Sequence, residues 1–400
     1  MAATQIASAN STTIDVSPTG YDIEQTVRDR YAAGAAQAQA ALCCPTDGYD
    51  GRYLTILPDE IIEKDYGCGD PTRYINPGET VVDLGSGAGK NCYIIAQKVG
   101  AEGQVIGVDM NDAMLDLSRK YLGTIGEQLG YHNVRFVKGK IQDLALDWEQ
   151  AQTWLNAHPI KSFEGMMAFE AECDRLRQTQ PLIPSDSVDA VVSNCVLNLV
   201  RPQDKKQLFQ EIFRVLKRGG RAVISDIVCD EPPTEAILAD PDLWSGCISG
   251  AFQESEFLEM FEAAGFHGVE ILARHEHPWQ VIDGIEFRSL TVRAYKGKQG
   301  ECWDHNQAVI YKGPWKFVKD DDDHILQRGD RMAVCAKTFA LYTDPHGPYA
   351  EHIIPVLPIA SVAPADATPF DCSRDTKRHP RETKGQDYNA TIACSSEGCC

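Results

Sequence analysis

Three cysteines stand in local sequences where a thiol could take part in chemistry. Cys195 follows the apolar run VDAVVSN, Cys247 lies in WSGCISGAF, and Cys68 lies between two glycines in DYGCGDP. Each cysteine taken alone is more typical of a small apolar core residue. None of them belongs to a CxxC pair, so a zinc ribbon is not indicated. Three thiolates brought together by the fold, without a carboxylate or histidine among them, would favour a soft thiophilic ion, whose binding must displace thiol protons.

A glycine-rich turn provides a second set of candidate residues. VVDLGSGAGK places Gly85, Ser86, Gly87 and Gly89 directly after an apolar run and before the helical segment NCYIIAQKV. Glycines there let the backbone turn tightly and approach a ligand closely. The next run, QVIGVD, ends in Asp109, whose carboxylate can accept hydrogen bonds from both ribose hydroxyls of an adenosine. The alternative is a tight turn with a strand-capping aspartate.

Glycine spacing and Asp83 indicate which adenosine cofactor is bound. DLGSGAG departs from the GxGxxG of nicotinamide enzymes and resembles the first motif of class I methyltransferases. Asp83 would repel a pyrophosphate, whereas its charge is useful near the amino group of S-adenosylmethionine. Further candidates for the wall of the cofactor pocket, each of which could equally be core or turn packing, are Tyr66, Met110, Ile141, Gln142 and Asn194.

The elements that must position these residues alternate along the chain. Short β-branched runs, separated by helix-length segments, read TVVDL, QVIGVD, VRFVKG, VDAVVSN and RAVISDI. Such alternation predicts an α/β fold with a doubly wound, Rossmann-like parallel sheet of the class I methyltransferase type. Ligands of these sheets bind beyond the carboxyl ends of the strands, where Cys195 and Asp109 fall.

The predicted domain organisation follows shifts in composition and pattern. Residues 1–20 and 366–400 lack periodic hydrophobicity and are expected to be disordered tails. Residues 21–274 are expected to form the cofactor-binding domain, with an insertion at about 143–186 that is too long for an ordinary strand–helix connection. Residues 275–365 carry short strand patterns and are expected to form a smaller α+β domain.

Composition limits the function classes. The 400 residues carry a formal net charge of −20 and no basic stripe, which argues against a nucleic-acid partner. The N-terminus does not have the pattern of a secretory signal, and no apolar stretch is long enough to span a bilayer. We therefore expect a cytoplasmic protein whose 14 cysteines are kept reduced and do not form a disulfide scaffold.

Several motifs in order resemble the arsenite S-adenosylmethionine methyltransferase family: DYGCGDP, VVDLGSGAGKNCYIIAQ, VSNCVLNLV, RVLKRGG and WSGCISGAF, over roughly residues 40 to 340. The resemblance implies that Cys68, Cys195 and Cys247 bind trivalent arsenic. A fourth family cysteine corresponds to Cys44 or its neighbour Cys43. The long insertion is a departure from many relatives and leaves the access route open to question.

The resemblance also implies a mechanism. The lone pair of arsenic, held by three sulfurs, attacks the methyl group of the sulfonium cofactor, and the protein mainly provides positioning. Cys68 could then pair with Cys44 or Cys43 as electrons are supplied, and a thiol reductant such as glutathione or thioredoxin would restore the site.

Two other functions are considered for the chain. One is methylation of a small organic acceptor, which would not depend on Cys195 or Cys247. The other is a non-catalytic metalloid-binding protein, which would not need DLGSGAG and Asp109. No chemical role is expected for the cysteines that we assign to the core or surface, namely Cys92, Cys173, Cys229, Cys302, Cys335 and Cys372. The thiols of the C-terminal tail, Cys394, Cys399 and Cys400, could deliver metalloid ions or be passive.

Overall fold

The computed structural model describes residues 22–39, 48–359 and 362–384. These residues form two compact units. The first contains the described residues up to Met260 together with Ile271–Arg293, and the second contains Phe261–Glu270 together with the described residues from Ala294 onward. The boundary expected near residue 275 is therefore displaced, because the segment Ile271–Arg293 is part of the first unit.

The first unit is built on a mixed sheet whose central strands are parallel. The strands of the sheet are β1 (Thr80–Leu84), β2 (Gln104–Asp109), β3 (Val134–Lys138), β4 (Val188–Asn194), β5 (Leu216–Cys229), β6 (Phe252–Gln253), β7 (His267–Arg274), β8 (Gln280–Ile282) and β9 (Ile285–Tyr295). The first residues of β7, up to Glu270, and the last two of β9 are counted in the second unit. The strand order is β3-β2-β1-β4-β5-β9-β7, with β6 beside β5 and β8 beside β9. The five runs read from the sequence are β1 to β5, and the pairs among them are parallel. The predicted α/β, Rossmann-like fold is confirmed.

The strand order reverses between β1 and β4. Chain connections from β1 run outward through β2 to β3, whereas β4 and β5 continue on the other side of β1. The loops that follow β1 and β4 therefore leave the sheet in opposite directions and open a crevice between them. Gly85 follows β1 and Cys195 follows β4, so this topology sets the glycine loop opposite the first of the cysteines.

Helices connect these strands. They are α1 (Ile23–Ala36), α2 (Gly51–Leu54), α3 (Asp59–Glu63), α4 (Lys90–Val99), α5 (Asp112–Lys120), α6 (Leu122–Leu129), α7 (Trp148–Ala157), α8 (Phe163–Thr179), α9 (Pro202–Val215), α10 (Glu235–Leu238), α11 (Pro241–Ser245) and α12 (Glu254–Ala264). Side chains cap several N-termini: Asp22 accepts from the Gln25 amide, and Asn111 accepts from the Ala113 amide. These caps fix where α1 and α5 begin beside the crevice.

The segment expected to be an insertion forms α7 and α8. Asp147 and Ser162 cap the two helices. A small apolar cluster that includes Leu146, Ala151 and Leu176 holds them to the unit.

The second unit combines short antiparallel strands with a helix, as expected of an α+β domain. Its elements are β10 (Trp303–Asp304), β11 (Ala308–Tyr311), β12 (Phe317–Lys319), β13 (Ile325–Gln327), β14 (Arg331–Ala333), α13 (Ala336–Thr343), β15 (Ile353–Val356), β16 (Thr368–Pro369) and α14 (Pro380–Lys384). Strand β11 lies between β14 and β15, and its inward side chains join Met332, Tyr342 and Ile353 in a core.

Some expectations concern residues outside the described ranges. These residues are Cys43, Cys44, residues 1–20 and residues 385–400 with Cys394, Cys399 and Cys400. The expectation of a disordered tail from residue 366 is wrong for residues 366–384, because β16 pairs with β10 and the side chains of Arg378 and Thr383 are buried. Among the helices that the structure describes, none has the length and apolar character needed to cross a membrane.

Candidate functional site

A cavity of about 990 Å³, partly open to solvent, occupies the crevice between β1 and β4. Most of the residues predicted to bind the cofactor are on its wall, namely Tyr66, Gly85, Ser86, Gly87, Asp109, Met110, Ile141, Gln142 and Asn194. Cys195 also lines it. The structure thus brings the nucleotide-type loop and one of the three cysteines to the same cavity.

The glycine loop needs its glycines for conformation and for space. Gly85 and Gly87 have φ of 66° and 50°, in the left-handed region that glycine tolerates best. The amide groups of Gly85 and Ser86 both donate to the Val108 carbonyl, at 2.8 and 3.0 Å, which ties the loop to β2. A Cβ on Gly85 would overlap the Val196 side chain, whereas a Cβ on Gly87 would meet no atom within 4 Å. The loop therefore leaves open space over Gly87.

Asp109 connects the loop to the end of β2. Its two carboxylate oxygens accept from the Gly87 amide and the Asn111 amide, both at 2.8 Å. Burial raises the pKa of Asp109. Each oxygen keeps a further lone pair, so the carboxylate can still accept from a diol in the cavity.

A residue on the cavity wall carries a buried polar atom that lacks a partner. The hydroxyl of Ser86 is buried and makes no hydrogen bond to any described residue. Such orphaned groups are rare in folded proteins and are commonly satisfied by a ligand or water. Together with the open space over Gly87 and the free lone pairs of Asp109, this hydroxyl fits an adenosine-containing cofactor.

Two residues predicted to bind the cofactor do not line the cavity. Asp83 is 2% exposed, accepts a hydrogen bond from the Cys92 thiol at 3.2 Å, and has its pKa raised to about 7 by burial. Gly89 begins α4 with φ of 91°, and a Cβ there would lie 2.8 Å from Phe136. Asp83 can act on a cofactor by its charge from behind the loop, and Gly89 serves close packing of the helix on the sheet.

Three cysteines of the first unit, Cys68, Cys195 and Cys247, lie together. Cys68 and Cys195 are joined by a disulfide, with their Cα atoms 5.7 Å apart, and the Cys247 thiol donates to the Cys195 carbonyl at 3.1 Å. All three belong to one buried cluster. Cys43 and Cys44, the predicted redox partners of Cys68, lie outside the described residues.

Two of these cysteines have an unusual backbone. Cys195 has φ of 59° and Cys247 has φ of 64°. A residue with a Cβ in this region costs about 1–2 kcal/mol, which glycine would avoid. The fold retains a thiol at both positions despite this cost, which is typical of functional sites.

Asn194 fixes the loop that carries Cys68. Its amide oxygen accepts from the Cys68 and Gly69 amides at 2.8 and 3.0 Å, and its amide nitrogen donates to the Gly69 carbonyl at 2.8 Å. A Cβ on Gly67 would overlap the Asn194 side chain. The glycines that flank Cys68 therefore allow it to approach the end of β4.

Asp226 is a member of the cluster that sequence reasoning missed. Its carboxylate and the thiols of Cys195 and Cys247 all lie within 4.8 Å of one another. The carboxylate also accepts from the Leu197 and Ile227 amides, both at 2.8 Å, and burial raises its pKa to about 6. The premise of three thiols without a carboxylate was wrong, because β5 pairs beside β4 and brings its own polar end to the site. The acidic residue within RAVISDI was the available signal.

Tyr31 was also missed, because it comes from α1 at a distant point of the sequence. Burial raises the pKa of Tyr31 well above its usual value, and the neighbouring Cys247 thiol adds to the effect. Tyr31, Tyr66 and Cys195 line both the large cavity and a smaller one of about 250 Å³ that contains Cys247 and Trp279. Cys195 therefore lines both cavities, and Cys247 lines the smaller one.

A third cavity, of about 1080 Å³, reaches the cluster from the side of Cys68 and is lined by Tyr49, Arg73 and His275 among others. None of the three cavities is lined by the insertion formed by α7 and α8. The insertion therefore contributes no residue of α7 or α8 to the walls of these cavities.

Comparison with known proteins identifies the family. Human arsenite methyltransferase is 30% identical to this chain over 300 residues, which cover 72% of this chain and 70% of the human protein. This chain belongs to the arsenite methyltransferase family. The arsenite methyltransferase of Aquipseudomonas alcaligenes is 29% identical over 328 residues, covering 78% of this chain and 84% of that protein.

A solved structure and two family models extend the comparison. The crystal structure of an arsenic(III) S-adenosylmethionine methyltransferase from Chlamydomonas reinhardtii is similar with a TM-score of 0.52 and 25% identity, covering 80% of this chain and 98% of that one. A model for methyltransferase domains matches residues 75–265. A second model, a domain of unknown function (DUF8838), matches residues 298–388. As in the arsenite methyltransferase family, the cofactor is S-adenosylmethionine.

Proposed function

We propose that this protein transfers methyl groups from S-adenosylmethionine to trivalent arsenic held by Cys68, Cys195 and Cys247, as a step in arsenic detoxification. The observation that carries the proposal is the position of Cys195, which belongs both to the wall of the cofactor cavity and to the cysteine cluster. A methyl acceptor bound to these thiols would lie next to the methyl donor.

The residues that would hold the cofactor are those of the crevice. Asp109 accepts from the ribose hydroxyls, the Ser86 hydroxyl gains the partner it lacks, and Asp83 supplies negative charge behind the loop. When bound, S-adenosylmethionine supplies an electrophilic methyl group, which is transferred to the arsenic lone pair as the carbon–sulfur bond breaks. Tyr66, Met110 and Ile141 exclude water from that part of the cavity.

The thiols bind arsenite by exchange. Each arsenic–sulfur bond replaces an arsenic–oxygen bond, and the thiol proton leaves with the hydroxyl group as water. Asp226 accepts hydrogen bonds from the backbone on both sides of the site and fixes the turn that carries Cys195. Its carboxylate, whose pKa is raised to about 6 by burial, is ionised above that pH and can pass a thiol proton to the leaving hydroxyl group, which departs as water.

Methyl transfer oxidises arsenic by two electrons, so a second methyl transfer requires two electrons from a reductant. Cys68 and Cys195 can supply them by forming the disulfide seen in the structure, which external thiols then reduce. Glutathione or thioredoxin would serve as that reductant. Within the described residues the partner of Cys68 is Cys195, and a relay to Cys43 or Cys44 remains part of the proposal.

The compartment follows from the same chemistry. A site that works through free thiols needs a reducing environment, which favours the cytoplasm.

Arsenic speciation tests the proposal. Purified protein is incubated with arsenite, S-adenosylmethionine and a thiol reductant, and the products are separated by chromatography with arsenic detection. We expect methylated arsenic from the wild type and from Cys173→Ser, which changes a thiol in α8, and none from Cys195→Ser. Unchanged arsenite from the wild type, with cofactor bound, would overturn the proposal in favour of an organic methyl acceptor.

A further inference from the structure

The second unit contains a cluster of three thiols that the methyltransferase site does not use. The Sγ atoms of Cys302, Cys335 and Cys372 all lie within 4.8 Å of one another. Cys335 is buried and the other two are half-buried, and none of the three is in a disulfide. From the sequence we expected these cysteines to be core or surface residues, since nothing in their spacing along the chain connects them.

The fold assembles the cluster from three segments. Cys302 immediately precedes β10, which pairs with β16, and the Phe370 amide donates to the Cys302 carbonyl at 2.8 Å. This pairing carries Cys372 alongside Cys302. The buried side chain of Gln307, which lies between β10 and β11, donates to the Val334 carbonyl at 2.6 Å and so holds the residue before Cys335 beside that segment. Each thiol is therefore positioned by backbone contacts of its own segment.

Cys335 occupies the N-cap of α13. Its Sγ accepts from the Thr338 amide at 3.4 Å and lies 3.2 Å from the Thr338 hydroxyl. Burial raises the pKa of Cys335, but the hydrogen bonds from Thr338 and from the Cys302 and Cys372 thiols outweigh it and lower the pKa below its usual value. Burial, with the neighbouring thiols, raises the pKa of Cys372. The three sulfur atoms are therefore held close together, with Cys335 fixed by the helix cap.

The number of donors selects the class of ion. Structural zinc sites use four protein ligands, whereas in the described part of the chain no fourth cysteine, histidine or carboxylate joins this group. Hard cations prefer oxygen donors. Three sulfurs suit a soft, three-coordinate ion with a lone pair.

We propose that Cys302, Cys335 and Cys372 form a second arsenite-binding site, which holds trivalent arsenic without methylating it. Three arsenic–sulfur bonds form, three water molecules leave, and arsenic remains trivalent, so no electrons are exchanged. All three cysteines fall within residues 298–388, the segment matched by a domain of unknown function. The site gives that segment a chemical role, a reversible store for the ion. It does not depend on the proposed methylation.

Arsenic binding by a full-length variant that keeps only this cluster tests the inference. The other cysteines that could compete are changed to serine: Cys43, Cys44, Cys68, Cys195, Cys247, Cys394, Cys399 and Cys400. Under reducing conditions, arsenite is added, unbound ion is removed by gel filtration, and bound arsenic and free thiols are counted. We expect one arsenic per chain and the loss of three reactive thiols.

Two single changes in that background provide the controls. Cys335→Ser should reduce bound arsenic at least tenfold, and Cys173→Ser should leave it unchanged. Arsenic that stays bound in Cys335→Ser, or three thiols that stay reactive with arsenite present, would overturn the inference. Binding of zinc in place of arsenite would overturn the assigned ion.

A measurement on the wild type keeps the inference testable if the background variant does not fold. Peptides that contain Cys302, Cys335 and Cys372 are quantified after alkylation with and without arsenite. Protection of all three supports the site, and alkylation of all three despite arsenite contradicts it. Methylation is followed separately in a variant with these three cysteines changed to serine, which should remain active, so the two proposals can fail independently.

Discussion

Within the described residues each unit contains a cluster of three cysteines, and the surroundings of the two clusters differ. Cys195 of the first cluster is on the wall of a cavity of about 990 Å³ with a glycine loop and Asp109, and a carboxylate, Asp226, stands among the thiols. In the second cluster, Cys335 caps a helix, and no carboxylate joins the group in the described residues. Under our two proposals both sets of three sulfurs bind the same ion, and only the ion at the first cluster, which lies beside the cofactor cavity, is methylated.

The backbone separates the clusters in the same way. Cys195 and Cys247 have left-handed φ values of 59° and 64°, whereas Cys335 has an ordinary φ of −68°. The first cluster holds its thiols at a cost in stability, and the second obtains its geometry from a helix cap without that cost. Only the first cluster shows the backbone strain expected of a reacting site.

Removal of a thiol from the first cluster should have the largest effect. We expect Cys247→Ser to lower the rate of arsenic methylation by on the order of 100-fold or more, since loss of even an indirect metal contact costs about 10–100-fold. Cys335→Ser should retain the wild-type rate. Initial rates of methylarsenic formation under reducing conditions measure both. Equal losses in the two variants would contradict the division of roles.

A substitution that displaces the Cys68 loop from β4 should have the next largest effect. We expect Gly67→Ala to weaken arsenite binding at the first cluster about tenfold, because its Cβ would overlap Asn194 and displace the Cys68 loop. Gly51→Ala is the matched control, since a Cβ there meets nothing within 4 Å. Titration with arsenite in the Cys335→Ser background isolates the first cluster. Unchanged affinity in Gly67→Ala would show that the loop does not need this close contact.

The proposed role of the Asp83 charge, which acts from behind the glycine loop of the cofactor cavity, can be tested by changing the pH. Burial raises the pKa of Asp83 to about 7, with Cys92, Asp65, Asp109 and Lys90 as its ionisable neighbours. The carboxyl is therefore negative above pH 7 and neutral below it, so affinity for the positively charged cofactor should fall by up to about tenfold per pH unit below 7. Calorimetry of cofactor binding from pH 6 to pH 8, a range that brackets the pKa of about 7, measures how the affinity changes with pH. In Asp83→Asn the slope should flatten, and an unchanged slope would assign it to another group.

Relief of the backbone strain at Cys247 should have the smallest effect, and it should change only the stability of the protein. We expect Cys247→Gly to be more stable than Cys247→Ala by about 1 kcal/mol, because glycine tolerates the left-handed conformation. In the interior of α8 the sign should reverse, with Cys173→Gly less stable than Cys173→Ala by about 1 kcal/mol. Denaturant titration gives the free energy of unfolding of each variant. A gain for glycine at both positions, or at neither, would argue against strain at Cys247.

Local patterns were sufficient for much of the fold. The strands β1 to β5, the glycine loop and Asp109 follow from apolar periodicity and from glycine chemistry, both of which operate over a few residues. The candidate cofactor residues Met110, Ile141 and Asn194 could be anticipated because they lie at or just after the carboxyl ends of strands that share one edge of the sheet.

Features that depend on distant pairing could not be predicted. Asp226 joins the thiols because β5 lies beside β4, and Tyr31 reaches Cys247 from a helix far away in sequence. The domain boundary was misplaced because β9 adds to the sheet next to β5, a pairing that no local pattern specifies. The C-terminal thiol cluster arises in the same way, from three segments that only the fold brings together.

The measurement that tests the account most directly is a single turnover at the first cluster alone. The variant with Cys302, Cys335 and Cys372 changed to serine is reduced, loaded with one equivalent of arsenite, freed of excess ion and mixed with methyl-labelled S-adenosylmethionine. We expect labelled methylarsenic to form in up to one equivalent per chain. Arsenic that stays bound and unmethylated while the cofactor is also bound would contradict it.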